Sequence, residues 1–224
     1  ENYNAEVICY TADIGQTINK NNIITNAKKF GVKNIIIKDL KDTFVKDYVF
    51  PMIRGHAIYE GVYLLGTSIA RPLIAKDQIR IAKKFKAYAV SHGATGKGND
   101  QVRFELTFMA LDPTLKIVAP WKDPKWDLHS REDCIAYAEK HDIPVVQSKK
   151  RIYSEDRNLW HISHEGGDLE DPANEAQDDV YTLSNTLESA PDQADYIEIG
   201  FNNGIPVSVN GESLSPIELV SSLN

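Results

Sequence analysis

The residues best suited to chemistry are gathered in one short segment, residues 91–100, which reads SHGATGKGND. Its three glycines let the backbone approach a ligand without obstruction by Cβ atoms. A hydroxyl, an amide, a carboxylate and a guanidinium follow closely, on Thr95, Asn99, Asp100 and Arg103. Asn99 and Arg103 stand four apart, so they share one face of a helix that has begun by Asn99. This density of polar groups makes the segment the strongest candidate for a binding site.

The surroundings of this segment support a ligand-binding loop. It follows an apolar run at residues 87–90 and precedes an amphipathic run at residues 101–111. In a parallel sheet that is the carboxyl end of a strand, where open α/β folds bind ligands, and the amides of the next helix can meet an anion. A Walker loop is excluded, because Lys97 is followed by Gly98 and not by Ser or Thr. A flexible surface turn remains the alternative.

Two earlier segments carry weaker signals. Residues 11–16, TADIGQ, end the first apolar run and place Ala12 where a nucleotide base or ribose could lie, although ordinary strand-to-helix connectors look similar. Further on, Tyr63 and Ser68 could bind a small polar ligand. Equally, Tyr63 could pack in the core while Ser68 caps a helix.

A later polar stretch offers Ser154, Ser163 and two histidines, His161 and His164. The histidines stand three apart near Glu165, but no further Cys or His pair completes the four ligands of a closed metal site. We therefore assign no metal ligand. His92, in the glycine-rich segment, could orient a phosphate or satisfy a buried backbone group. Nothing resembles a nucleophile elbow, so no Ser-His-Asp triad is assigned.

The amino-acid composition excludes some classes of partner for this protein. Of the 224 residues, 42% are hydrophobic and 25% charged, a balance typical of globular proteins. The net charge of −7 argues against a nucleic-acid partner bound through bulk positive charge. No apolar run approaches the roughly 20 residues that cross a bilayer, so no membrane partner is expected. Two distant cysteines, Cys9 and Cys134, favour a reducing, cytoplasmic compartment.

Short apolar runs alternate with amphipathic ones through the first two-thirds of the chain. This alternation predicts an α/β fold with a parallel sheet flanked by helices. The predicted strands lie at residues 5–10, 34–37, 87–90 and 116–119. The predicted helices lie at residues 23–30, 43–53, 57–65, 72–85, 101–111 and 131–141.

The pattern changes near residue 146, where we place a domain boundary. Residues 147–195 are polar, acidic and without periodicity, which predicts an irregular loop or linker. Alternation over residues 196–201 and 205–209, around the turn 202–204, predicts a β-hairpin. Ser215, Pro216 and Glu218 then predict the start of a helix, as N-cap, N1 and N3.

Five segments, in this order and spacing, resemble argininosuccinate synthases: residues 11–16, 64–72, 91–105, 119–121 and 161–163. The resemblance runs through essentially the whole chain, and residues 91–105 are its most specific part. It implies an adenine nucleotide alpha hydrolase-like fold of the N-type ATP pyrophosphatase kind. Residues 1–146 would form the nucleotide-binding domain, and residues 147–224 the beginning of a second, α+β synthetase and oligomerisation domain.

The resemblance also implies a two-step ligation. ATP adenylates the ureido oxygen of citrulline and releases pyrophosphate, and the amine of aspartate then displaces AMP to give argininosuccinate. Magnesium is expected to accompany ATP because of the charge of the polyphosphate. A cytoplasmic homotetramer is implied as well.

Roles carried over from the family fall on residues already singled out. Ala12 and Gly93 would contact ATP, and Thr95, Asn99 and Asp100 would hold aspartate. Citrulline would be held by a larger set: Tyr63, Ser68, Asn99, Arg103, Ser154 and Ser163. The Arg103 guanidinium can pair with a carboxylate as a fork. None of these residues is assigned as an acid, base or nucleophile, so catalysis would rest on positioning the substrates together.

The resemblance is incomplete at both ends. The family's serine-glycine-glycine-leucine-aspartate phosphate loop would precede residue 1, and further citrulline contacts would follow residue 224. We therefore expect activity from a complete chain and not from these 224 residues alone. A non-catalytic, amino-acid-binding remnant of the same fold is the alternative. Another ATP pyrophosphatase using ammonia or glutamine is a third, although no glutaminase-like Cys-His arrangement is present.

Overall fold

The structure is a computed structural model that describes residues 3–96, 98–143 and 153–224, with only the backbone of Arg131 described. It divides into two compact units. The first unit comprises Glu1–Ala12, Asn19–Lys38 and Ser68–Ser148, and the second comprises Asp13–Ile18, Asp39–Thr67 and Lys149–Asn224. The domain boundary predicted at residue 146 lies outside the described residues. No helix in the described ranges is long and apolar enough to cross a membrane.

The first unit combines short strands with longer helices, which confirms the predicted α/β class. Its strands are most of β1 (Ile8–Asp13), most of β2 (Asn34–Asp39), β3 (Ala89–Ser91) and β4 (Lys116–Val118). β1 is hydrogen-bonded to β2, and β3 pairs in parallel with β4. Its helices are α1 (Lys20–Lys29), most of α4 (Gly66–Lys84), α5 (Asn99–Leu111) and α6 (Arg131–Lys140), with a short 3-10 helix at Pro120–Lys122. β1 lies three residues later than the strand predicted at residues 5–10.

The core of the first unit lies where α4 and α5 cover β3. Ala75, Ile79 and Ala82 recur at helical spacing on α4 and are buried with Val90 of β3 and Phe108 of α5. α4 begins six residues before the helix predicted at residues 72–85, where Pro72 suggested a start. Thr67 and Ala70 before the proline and Leu73 directly after it are all buried, and this packing overrides the local preference.

Two helices of the first unit begin where the sequence predicted features of their first turn. α5 begins at Asn99 directly after Gly98, so Asn99 and Arg103 share a helix face, as predicted. α6 opens with a capping box: Ser130 Oγ accepts from the Asp133 amide at 3.0 Å, and Asp133 accepts from the Ser130 amide at 2.9 Å. The predicted N-cap at Ser130 is thereby confirmed.

The described part of the second unit has consecutive helical segments at its core. α2 (Lys41–Phe44), a π-helical segment (Val45–Val49) and α3 (Phe50–Arg54) follow one another without a break. These segments contact α7 (Pro216–Ser222) and β8 (Ile205–Val209), and they bury five residues: Phe44, Val45, Val49, Phe50 and Met52. α7 has the predicted Ser215 cap, and Glu218 completes the capping box.

One predicted helix in the second unit is wrong. Residues 57–65 form turns, with a bridge between Tyr59 and Tyr63. The physical reason is the backbone: His56, Glu60 and Leu65 have φ values of 50°, 52° and 59°. A right-handed helix cannot continue through left-handed residues.

The stretch predicted to be irregular, residues 147–195, contains a β-hairpin in its described part, which corrects that prediction. β5 (Ser154–Arg157) pairs antiparallel with β6 (Ile162–Glu165), and two 3-10 turns follow at Gly167–Glu170 and Asp178–Val180. These strands are polar and four residues long, so they carry no alternating apolar signal.

The later hairpin is confirmed. β7 (Ile199–Asn202) pairs with β8, and β8 pairs with β9 (Glu212–Ser213). Asn203 and Gly204 form its turn with φ values of 51° and 77°, the positive pair that a tight hairpin turn requires. The first strand begins three residues later than predicted.

Candidate functional site

Ala12 and Gly93 line the same cleft in the first unit, a space of about 260 Å³. Ala12 lies near the end of β1, and Gly93 follows the end of β3 by two residues. A Cβ atom added to Gly93 would meet nothing within 4 Å, so this backbone faces open space. A ligand can therefore approach the main chain closely at Gly93.

Two hydrogen bonds fix side chains that line this cleft. The Tyr10 hydroxyl donates to Asp77 at 2.8 Å, and the Gln78 amide donates to the Ser91 carbonyl at 2.8 Å. Burial, followed by the contact with Asp77, raises the pKa of Tyr10 far above its usual range. The phenol is thus an uncharged, fixed wall of the cleft.

Four side chains at the start of α5 and the start of α4 form what we call the arginine cluster: Ser68, Arg71, Asp100 and Arg103. Asp100 accepts from Arg71 Nε at 2.6 Å through one oxygen and from Arg103 Nη1 at 2.7 Å through the other. Arg103 Nη2 also donates to Ser68 Oγ at 3.1 Å. With two guanidinium groups to one carboxylate, the cluster carries a net positive charge. It is therefore suited to an anionic group such as a substrate carboxylate.

Thr95 and Asn99 flank the end of the glycine-rich loop. Both are exposed, Thr95 on the loop and Asn99 as the first residue of α5. A Cβ atom on Gly98 would lie 3.4 Å from the Thr95 hydroxyl, so that hydroxyl is folded back towards the start of the helix. Lys97, between them, lies outside the described residues.

In the second unit, Ser154 and Ser163 lie on one face of the β5–β6 hairpin. The register pairs Ser154 with Glu165 and Asp156 with Ser163. Directly paired residues share a face, and so do residues two apart on one strand. We call these four residues the hairpin face. Its carboxylate oxygens are acceptors, which suits an ammonium group.

The hairpin is attached to the turn that carries Tyr63. Asn158 donates to the Gly66 carbonyl at 3.2 Å, and Trp160 Nε1 donates to the Leu64 carbonyl at 3.0 Å. The ring of Tyr63 meets the ring of His161 edge-on at 5.4 Å. Burial lowers the pKa of His161, so the imidazole is neutral at pH 7. Tyr63 is thereby held beside β6.

Sequence reasoning missed Arg71 and the two acidic residues of the hairpin face. Arg71 stands three residues after Ser68, on the same side of α4, and this spacing is the signal that could have identified it. Asp156 and Glu165 are two residues from Ser154 and Ser163 respectively. They could have been found only by assigning the two strands first. Across the described ranges, no group of three His, Cys, Asp or Glu residues could hold a metal ion.

Comparisons with protein families match almost the entire chain. Residues 1–144 match the arginosuccinate synthase N-terminal HUP domain, and residues 153–224 match the arginosuccinate synthase C-terminal domain.

Curated relatives agree with the family models. The chain is 62% identical to argininosuccinate synthase from Pelagibacter ubique, with all of this chain and 57% of that protein covered. It is 59% identical to the argininosuccinate synthase of Carboxydothermus hydrogenoformans, with all of the chain and 55% of that protein covered. The chloroplastic argininosuccinate synthase of Arabidopsis thaliana is 56% identical, with 45% of its length covered by the whole chain. The chain thus spans about half the length of these relatives.

Proposed function

The chain belongs to the argininosuccinate synthase family, and from this premise we propose that the whole protein joins citrulline and aspartate in an ATP-dependent ligation. The observation that carries the proposal is the glycine-rich loop, which supplies Gly93 to the cleft and leads directly into Asp100 and Arg103 of the arginine cluster. One continuous segment of chain thereby serves both a nucleotide and an amino acid.

In the first step, the ureido oxygen of citrulline would attack the α-phosphorus of ATP, and pyrophosphate would leave. Ala12 and Gly93 would contact ATP along their cleft, where open backbone permits close approach. ATP would enter as its magnesium complex, because the polyphosphate charge requires a cation. The chain's contribution to this step is to hold the two substrates in reacting geometry.

Citrulline would be held by the two charged groups on its α-carbon, the carboxylate and the ammonium group. Arg103 and Ser68, with Asn99 beside them on α5, offer donors for the carboxylate. Ser154 and Ser163, on a face that also carries Asp156 and Glu165, fit an ammonium group. Tyr63, fixed by His161, would contact the body of the same substrate.

Aspartate would be held at the start of α5. The hydroxyl of Thr95 and the amide of Asn99 can donate to its carboxylates. Asp100 can accept from its amine, and the hydrogen bond from Arg71 holds the Asp100 side chain in place. In the second step the aspartate amine would attack the citrulline carbon, and AMP would leave with the former ureido oxygen.

We further propose that the complete protein is a cytoplasmic homotetramer. The resemblance to the family implies the tetramer. The unpaired cysteines Cys9 and Cys134 support a reducing, cytoplasmic compartment.

Release of AMP is the test of this function. In the complete protein, we expect AMP and pyrophosphate to form from ATP only when citrulline and aspartate are both present. Omitting either amino acid is the control. AMP release that depends on ammonia or glutamine would contradict the proposal in favour of another ATP pyrophosphatase. Binding of citrulline without any turnover would favour a non-catalytic remnant.

A further inference from the structure

His92, the second residue of the glycine-rich loop, is almost fully buried, with 7% of its surface exposed. Its ring stacks on Phe104 of α5, with ring centres 5.6 Å apart and planes 10° apart. The ring therefore has a fixed orientation beside the cleft that it helps to line.

Both ring nitrogens of His92 have a partner. Nε2 lies 3.3 Å from Glu105 Oε1, and Nδ1 accepts from the Ala94 amide at 3.3 Å. Glu105 is itself buried and is held by Lys122, whose Nζ lies 3.1 and 2.9 Å from the two carboxylate oxygens. A chain of contacts thus runs from Lys122 through Glu105 and His92 to the loop backbone.

The chemistry of these partners selects one protonation state. Burial alone would raise the pKa of Glu105, but the hydrogen bonds from Lys122, Gln101 and His92 hold that pKa below its ordinary value. An ionised carboxylate only accepts, so Nε2 of His92 must carry the hydrogen. The Ala94 amide only donates, so Nδ1 must be bare. The arrangement requires neutral His92 in its Nε2–H tautomer.

We propose that Glu105, held by Lys122, is a positioning residue for the nucleotide site: it fixes the tautomer of His92, whose Nδ1 then holds the Ala94 amide and the loop backbone at Gly93. The inference deepens the proposed function, because the loop is the one assigned to ATP. Outer partners that orient a histidine in this way also set its tautomer in metal sites. Here the oriented group is the loop backbone.

The other end of the loop rests on the same short helix that supplies Lys122. A Cβ atom on Gly96 would lie 2.8 Å from the Trp121 carbonyl oxygen, so the loop packs directly on Pro120–Lys122. This helix therefore supports the loop by backbone contact at Gly96 and by side-chain contact through Glu105. Such fixed backbone geometry is what a site for developing phosphate charge requires.

The test compares three lysine variants of the complete protein. Lys122→Met removes the cation, Lys122→Arg keeps it, and Lys83→Met is the control. Lys83 also pairs with a carboxylate, Asp112 at 3.3 Å, and its side chain is 54% exposed against 44% for Lys122. We expect Lys122→Met to raise the Kd and the KM for magnesium-ATP about tenfold, the loss of one charged hydrogen bond. Lys122→Arg should restore most of the affinity, and Lys83→Met should match the parent protein.

Nitrogen NMR of the histidine ring supplies a second readout that does not depend on turnover. We expect a single Nε2–H tautomer of His92 in the parent protein and in Lys122→Arg, and a mixture of tautomers in Lys122→Met. The KM for citrulline and the KM for aspartate should stay within about twofold of the parent values.

Two results would overturn the inference. One is an Nδ1–H tautomer in the parent protein. The other is a Lys122→Met variant that loses thermal stability and affinity for all three substrates together, since that is the signature of a purely structural contact. ATP binding and the tautomer are measured without either amino acid. The two proposals can therefore fail separately. If the parent protein forms no argininosuccinate but Lys122→Met still lowers the affinity for ATP, the ligation is refuted and the positioning role is supported.

Discussion

The arginine cluster of the first unit and the hairpin face of the second unit use similar polar side chains in opposite electrostatic settings. Ser68 accepts from Arg103, whose guanidinium shares the Asp100 carboxylate with that of Arg71. Ser154 and Ser163 lie on a face with the carboxylates of Asp156 and Glu165. A serine hydroxyl can donate or accept, so its neighbours decide what it binds. Under the proposed function, the neighbouring charges and not the serine would select between the carboxylate and the ammonium group of an amino acid.

The two regions also differ in how they are held. The arginine cluster lies on two helices of 19 and 13 residues, with its charged side chains only 20–25% exposed. The hairpin face lies on strands of four residues and depends on the anchors Asn158 and Trp160. We therefore expect changes in the cluster to act strongly and locally, and changes in the hairpin to act more weakly.

The largest expected effect comes from the arginine cluster. Arg103→Met should lower kcat/KM for citrulline about a hundredfold, because it removes a charged fork from a partly buried site. Arg71 still pairs with Asp100 in this variant, so thermal stability should change little.

Arg103→Lys separates charge from geometry. It keeps the cation but loses the planar fork, and we expect it to recover only part of the activity. Full recovery would mean that charge alone suffices, and equal losses for citrulline and ATP would contradict a citrulline-specific role.

The contrast between these regions also explains what the sequence could predict. The glycine-rich loop was identifiable because glycines and polar groups are dense within a few residues, directly between a strand and a helix. The hairpin face could not be identified in this way, because β5 and β6 are short and polar. The hairpin is also held by contacts with distant residues, such as the bond from Asn158 to the Gly66 carbonyl. Long-range contacts of this kind leave no local pattern.

A second prediction uses two glycines of the same loop as a matched pair. Gly96→Ala would push a Cβ against the Trp121 carbonyl, and we expect a loss of about 2 kcal/mol in unfolding free energy. Gly93→Ala meets open space, so stability should be unchanged while the Kd for ATP rises. Chemical denaturation and ATP titration measure the two effects. Equal destabilisation by both variants would show that the loop is not supported as described.

The hairpin face provides a third, smaller effect. Ser163→Ala removes one neutral hydrogen bond, and we expect the KM for citrulline to rise about fivefold. Ser213→Ala, on the exposed strand β9 of the same unit, is the control and should have no effect. Steady-state kinetics with ATP saturating gives the answer. A hundredfold loss would mean that the hairpin is as decisive as the arginine cluster, which would break the comparison.

The smallest effect concerns pH. Burial lowers the pKa of His161 below 6.5, so the unfolded state binds more protons as the pH falls. The second unit should be fully stable above pH 6.5 and lose some stability below it. The lowered pKa of Glu105 has the same sign, but its contribution is lost only below pH 4.5.

Amide exchange at pH 7.5 and 5.5, corrected for intrinsic rates, separates the two units. Protection of β6 should fall by a small factor while protection of α5 stays constant. His161→Asn should remove the difference. A larger loss of protection in α5 than in β6 would contradict the assignment of a neutral, buried imidazole.

The ends of helices also show that features set by neighbouring residues could be predicted, whereas features set by distant contacts could not. The caps at Ser130 and Ser215 were predictable, because a serine followed by an acidic residue three positions later satisfies the first amides locally. The turns at residues 57–65 were not, because their left-handed residues are not glycines except at Gly61. The Lys122–Glu105–His92 chain likewise depends on contacts between distant elements.

The most direct test of the proposed chemistry follows one oxygen atom. Citrulline labelled with ¹⁸O in its ureido group is incubated with ATP, aspartate and the complete protein, and the products are analysed by mass spectrometry. Adenylation of the ureido oxygen predicts that the label appears in AMP and is absent from pyrophosphate and argininosuccinate. Unlabelled AMP, with the label in pyrophosphate or retained on the amino acid product, would contradict the account.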